Sequence, residues 1–151
     1  MKIPLTLEEE LKKIEEKEFI ERRIILPAIL VGRGLIRTNF IIDTGCPYSF
    51  ISYSTLLKLN LKRGECIIRK MAIGNVAVNL FTIPSLKFYL KTDEEKTIQF
   101  TTSINVAMPH ESEKKIEKVI SLPDILGLDF LIHHKLKLFL NLTENVQYLE
   151  I

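Results

Sequence analysis

The chain has 151 residues, 46% of them hydrophobic and 26% charged, with a formal net charge of +2. One globular domain with a real core fits that length, and near-balanced charge without an arginine-rich face or a basic and aromatic stripe argues against nucleic acid as a partner. Two cysteines, Cys46 and Cys66, argue against a disulfide framework or a cysteine-based zinc centre, and apolar runs such as Ile24 to Val31 are too short to span a bilayer.

The N-terminus is acidic and shows no signal-peptide pattern, so the chain is read as cytoplasmic, with reduced thiols and no membrane partner. Residues 1–18 form an N-terminal extension in which Thr6 precedes Glu9 by three positions and Leu7, Leu11 and Ile14 recur at helical spacing. That pattern predicts a short amphipathic helix, either solvated or lightly packed on the body or on a partner. From Glu18 the pattern becomes β. Phe19 to Val31, interrupted by Pro27, and Leu35 to Ile42 read as a hairpin turning at Gly32-Arg33-Gly34, with Pro27 at an edge or bulge. The glycine pair lacks the lysine and following helix of a phosphate cradle, so it is read as a turn.

The second strand ends abruptly in Asp43-Thr44-Gly45-Cys46. A carboxylate at the mouth of a buried strand is costly unless hydrogen-bonded, and Thr44 and the amides around Gly45 are the local donors. Read alone, Asp-Thr-Gly is also ordinary turn composition. Tyr53 to Leu61 suits a short helix or turn leading into another strand, and Met71 to Val78 suits a hairpin turning at Gly74-Asn75. Leu80 to Leu90 and Thr97 to Met108 read as strands joined by the charged turn 91–96, and His110 to Lys118 as a solvated loop or short helix. Ile125 and Leu126 begin a strand running into a helix that carries His133 and His134, whose adjacency puts them on different faces and argues against a metal pair. Lys135 to Leu142 and Val146 to Ile151 close the chain as strands about a turn at Thr143-Glu144-Asn145.

Asp43-Thr44-Gly45-Cys46, followed after two spacers by Ser49-Phe50-Ile51, resembles the active-site signature of the single-domain, retropepsin-like aspartic proteases. Ile125-Leu126-Gly127-Leu128-Asp129-Phe130-Leu131 resembles that family's second signature, an apolar strand that threads beside the Asp-Thr-Gly loop and a helix that packs beneath it. The resemblance runs from about Phe19 to Ile151 and implies an all-β acid-protease fold over residues 19–151 with a short C-terminal helix. It implies an aspartic endopeptidase acting on a polypeptide substrate with water and no cofactor or metal.

One Asp-Thr-Gly supplies one carboxylate, whereas the chemistry needs one carboxylate to take a proton from water and another, protonated, to donate to the carbonyl oxygen. Asp124-Ile125-Leu126-Gly127 has the wrong spacing for a second copy, so a homodimer with Asp43 of both subunits on the two-fold axis is expected. Two carboxylates about 3 Å apart repel by roughly 5 kcal/mol at an effective dielectric near 20, so they share one proton. By resemblance, Thr44 braces the dyad and Gly45 admits the substrate backbone. Ala72, Ile73 and Gly74 belong to a flap over the peptide, and Ile125 lines a side-chain pocket. Pro47 and Leu128 stand where retroviral members often carry an acid and a base that support their dimer, so the dimer is expected to be built differently. An inactive dimerisation or peptide-binding module on the same fold is the alternative, and a thiol enzyme using Cys46 a third reading, with no histidine placed beside it by the sequence.

Overall fold

Strand β3 (Lys17–Val31) organises the fold by serving three partners. The computed structural model, which describes residues 1–61, 68–73, 76–109 and 122–151, pairs one side of it with β4 (Leu35–Ile42). Its other side pairs first with β2 (Thr6–Ile14), up to Thr6↔Ile25, and then with β7 (Val76–Lys91) from Ile29 to Val31. Pro27 falls between those two partners, where a missing amide takes nothing from the ladder on that side. The remaining strands are β1 (Lys2–Pro4), β5 (Phe50–Ile51), β6 (Ile68–Ile73), β8 (Thr97–Pro109), β9 (Ile125–Leu126), β10 (Lys137–Asn141) and β11 (Val146–Glu150). Helices α1 (Tyr53–Leu59) and α2 (Leu128–His133) interrupt them.

The large sheet has the order β2-β3-β4-β9-β5-β8-β7-β6, and the β3–β7 pairing closes β3, β4, β9, β5, β8 and β7 into a barrel-like ring. The described chain is therefore all-β, with two short helices. No helix among the described residues is long and apolar enough to cross a membrane. Inside the ring, Phe40, Phe88, Phe100 and Phe130 pack with centroids 5.5 to 5.9 Å apart in tilted and stacked pairs. A second sheet, β1-β11-β10, adds Ile3 and Leu149 to the same core. The turn at Gly32 docks on the end of α1, where a Cβ at Gly32 would lie 2.3 Å from the Leu59 carbonyl oxygen. Only glycine fits that approach.

The helix expected over residues 6–14 does not form. Thr6 to Ile14 is a strand, and with the first half of β3 it makes a long hairpin arm, while residues 1–5 join the body through buried Ile3 and Leu5. Cross-strand partners explain the difference. Leu11 lies opposite Ile20 and Glu9 opposite Arg22, whose Nε donates to Glu9 Oε1 at 2.9 Å. Lys12 lies 3.0 Å from Glu10 and 3.5 Å from Glu21. Local helix propensity in a Leu, Lys and Glu segment is worth only tenths of a kcal/mol per residue, and a partner strand overrides it. The turn between the strands is Glu15-Glu16, with φ of 49° and 65°. Both residues are left-handed, as a two-residue hairpin turn requires, although neither is the glycine or asparagine that would have signalled it.

Replacing Glu15-Glu16 by Asn-Gly is accordingly expected to stabilise the arm by about 1 kcal/mol. The measurement is amide exchange over residues 6–14, which should slow.

Candidate active site

Asp43 is the first residue beyond β4, and the elements around it explain its position. Strand β9 runs parallel to β4, with Ile41 beside Ile125 and Ile42 beside Leu126, and the Asp43 amide continues that ladder by donating to the Leu126 carbonyl at 3.1 Å. The two motifs, more than eighty residues apart in sequence, thus meet side by side. After Asp43 the chain turns. The Cys46 amide donates to the Asp43 carbonyl at 3.1 Å, and the Gly45 amide donates to Asp43 Oδ1 at 2.9 Å, an Asx-type turn. A Cβ at Gly45 would stand 3.2 Å from that carboxylate oxygen, so glycine keeps the space beside it open. Thr44 and Gly45 are exposed, and Asp43 is half-buried.

The loop is tied down through its neighbours. Leu128 and Asp129, opening α2, donate their amides to the carbonyls of Cys46 and Pro47 at 2.9 and 3.3 Å. Gly127 permits this approach, since a Cβ there would lie 2.4 Å from the Cys46 carbonyl oxygen. Ser49, almost wholly buried, spends its amide and hydroxyl on the same junction and its carbonyl on β8. Its amide and hydroxyl donate to the Asp129 carboxylate at 2.9 and 2.6 Å, its hydroxyl oxygen accepts from the Gly127 amide at 2.9 Å, and its carbonyl accepts from Asn105.

A second tie lies on the other side of β9. Asp124 is buried, and its carboxylate accepts from the Ser52 amide at 2.7 Å and from the hydroxyls of Thr55 and Thr38. This aspartate, which as a second signature has the wrong spacing, instead pins α1, β4 and β9 together. Ser52 also caps α1 by accepting from the Thr55 amide at 3.2 Å. Ser52 and Thr55 three residues apart carry a legible capping signal, but the convergence of Thr38 and Asp124 on them is a product of the tertiary fold.

Three aspartates therefore sit close in the structure with different duties. Asp124 and Asp129 each accept several donors, whereas among the described residues the Gly45 amide is the one donor to Asp43. The carboxylate at the mouth of the strand keeps acceptor capacity that the described residues do not use.

Of the residues expected to bind substrate, Ile125 is brought to the site by the β4–β9 pairing and is half-buried against Phe50, Leu80 and Ala107. Ala72 and Ile73 lie in β6, opposite Ala77 and Val76, in a hairpin that hangs from β7 outside the ring. Gly74 and Asn75, expected to turn the flap, Cys66 and the run 110–118 lie outside the described residues. The Cys46 thiol donates to the Tyr48 carbonyl at 3.1 Å. The His134 ring packs edge-on to Phe100 at 4.9 Å and to the neighbouring His133 at 4.7 Å, and against Phe130 at 4.8 Å. Comparison with family models and with curated proteins finds no match to this chain.

Two outcomes follow from these environments. Asp124→Asn removes charge and one acceptor from a buried network and is expected to cost about 2–3 kcal/mol in urea denaturation, while Asp43→Asn should change stability by no more than about 0.5 kcal/mol. Burial, helped by the neighbouring His133, holds the His134 imidazole below its ordinary value of 6.5. The unfolded chain then takes up a proton before the folded one does, so stability is full above pH 6.5 and declines as pH falls from there towards the lower folded value. Denaturation midpoints between pH 7.5 and 5 should show that decline, and His134→Leu should flatten it.

Proposed function

We infer that the chain is a retropepsin-like aspartic endopeptidase acting as a symmetric homodimer, in which the Asp43 carboxylates of two subunits activate water against a peptide bond. The observation that carries this reading is the spare capacity of Asp43, a half-buried carboxylate on a firmly tied loop whose neighbouring aspartates take the structural load. Pro47, Tyr48 and Leu128 stand exposed on the same loop and at the start of α2, and supply an apolar rim that a second copy can cover. The terminal strands β1, β10 and β11 pair within one chain, so in this reading the subunits meet through the rim rather than by interleaving their ends.

The chemistry then runs through the pair. One Asp43 takes a proton from water as the water oxygen bonds to the carbonyl carbon, and the protonated Asp43 of the other subunit gives its proton to the carbonyl oxygen. The tetrahedral diol collapses as one of its hydroxyls returns a proton to the ionised Asp43, the C–N bond breaks and the leaving nitrogen takes a proton from the other Asp43, which restores a singly protonated dyad. Thr44 braces the pair from its exposed place on the loop, and Gly45 leaves room for the substrate backbone. The polypeptide lies extended like an added strand beneath the β6–β7 hairpin, with Ile125 along one of its side chains.

Incubating a mixed peptide library with the wild-type protein and with Asp43→Asn, from acidic to neutral pH, tests this reading. Wild-type dimer should cleave, and the variant should cleave about a thousandfold less or not at all. Cleavage that survives Asp43→Asn but is lost on alkylating Cys46 would replace the dyad with a thiol mechanism. A folded dimer that cleaves nothing would leave a peptide-binding module.

A further inference from the structure

β2 is the first strand in the order of the large sheet, so the side of it turned away from β3 has no partner strand among the described residues. An open edge invites pairing unless a proline, a bulge or clashing charge blocks it. β2 contains no proline and keeps unbroken register with β3 over its whole length. Apolar side chains stand exposed along the arm: Leu11 at 65%, Ile14 at 61%, Ile20 at 49% and Phe19 at 43%. The charges divide about Leu11, with Glu8, Glu9 and Glu10 before it and Lys12 and Lys13 after it.

We propose that β2 pairs edge to edge with β2 of a second copy of this chain, antiparallel about a two-fold axis at Leu11. Directly opposite residues in an antiparallel pair share a sheet face, so a two-fold axis normal to the sheet permits only registers centred on a residue. Centred on Leu11, the register sets Leu11 against its own copy, Glu10 against the second copy's Lys12, and Glu9 against the second copy's Lys13. Each charge pair occurs twice. Centred on Glu9, Glu10 or Lys12, the register opposes like charges on the axis. Opposite charges across strands stabilise and like charges destabilise, so the sequence selects the Leu11 register. Because Leu11 already faces Ile20, this register also runs an apolar stripe of Ile20, Leu11, Leu11 and Ile20 across four strands. The in-chain pairs of Glu9 with Arg22 and of Lys12 with Glu10 and Glu21 are exposed, and a carboxylate can accept from both sides.

This contact uses no residue around Asp43 and does not rest on the peptidase reading. The test compares association of the full chain by sedimentation velocity for the wild type, Glu9→Lys with Glu10→Lys, Lys12→Glu with Lys13→Glu, and an equimolar mixture of the two variants. Each variant alone should associate about tenfold or more weakly than wild type, and the mixture should recover an association that neither variant shows alone. Leu11→Asp, at an exposed position, places like charge on the axis and should weaken association as well. If the Asp43 contact is also present, these variants lose one stage of assembly rather than all of it. The proposal is overturned by a monomeric wild type, by assembly equally tight in all variants, or by folded charge variants whose mixture associates no better than either alone. Equally tight assembly would place the contact elsewhere and leave the Asp43 reading standing.

Discussion

A carboxylate that is to exchange protons has to be held in place without having its oxygens consumed, and the arrangement of the described residues around Asp43 meets that constraint. The holding is delegated. Asp129 and Ser49 clamp the loop to the start of α2, Asp124 binds α1, β4 and β9 together, and the close approach at Gly127 lets the second motif lie against Cys46. Asp43 itself receives a single backbone donor among the described residues. A buried carboxylate is expensive unless saturated, and buried Asp124 is, while of the two half-buried aspartates Asp129 carries the clamp and Asp43 does not.

The hairpin arm belongs to a different part of the balance. It buries little, carries exposed ion pairs that stabilise only slightly, and turns on two glutamates in the left-handed region. An arm of that kind gains most of its stability from whatever else it pairs with. Its conspicuous features, an edge with no partner strand among the described residues and charges divided about Leu11, are those of a surface shaped for a like surface rather than for solvent.

The site's local part was legible in the sequence and its long-range part was not. The apolar run into Asp43-Thr44-Gly45 announces a strand, a turn and a carboxylate within seven residues, and the turn at Gly32 and the strands on either side of it follow from composition alone. The parallel pairing of β4 with β9 has no local signal; the resemblance to one family implies only that the second motif lies beside the Asp-Thr-Gly loop, not the direction of pairing. The role of Asp124 depends on Thr38, Ser52 and Thr55 converging from separate elements, which no spacing rule reports. The N-terminal segment carries a helical pattern yet forms a strand because helical spacing and strand alternation coincide at Leu7 and Leu11, and the deciding partner, β3, follows a turn at Glu15-Glu16 without a glycine to mark it.

The central claim is that two subunits each contribute Asp43 to one site, and subunit mixing addresses it directly. Wild-type protein and Asp43→Asn are unfolded together, refolded in varied proportions and assayed for peptide cleavage. A dyad shared between subunits requires activity to fall with the square of the wild-type fraction, because mixed dimers carry one carboxylate and are inactive. A linear dependence would contradict the account, since each chain would then be working with its own Asp43 alone.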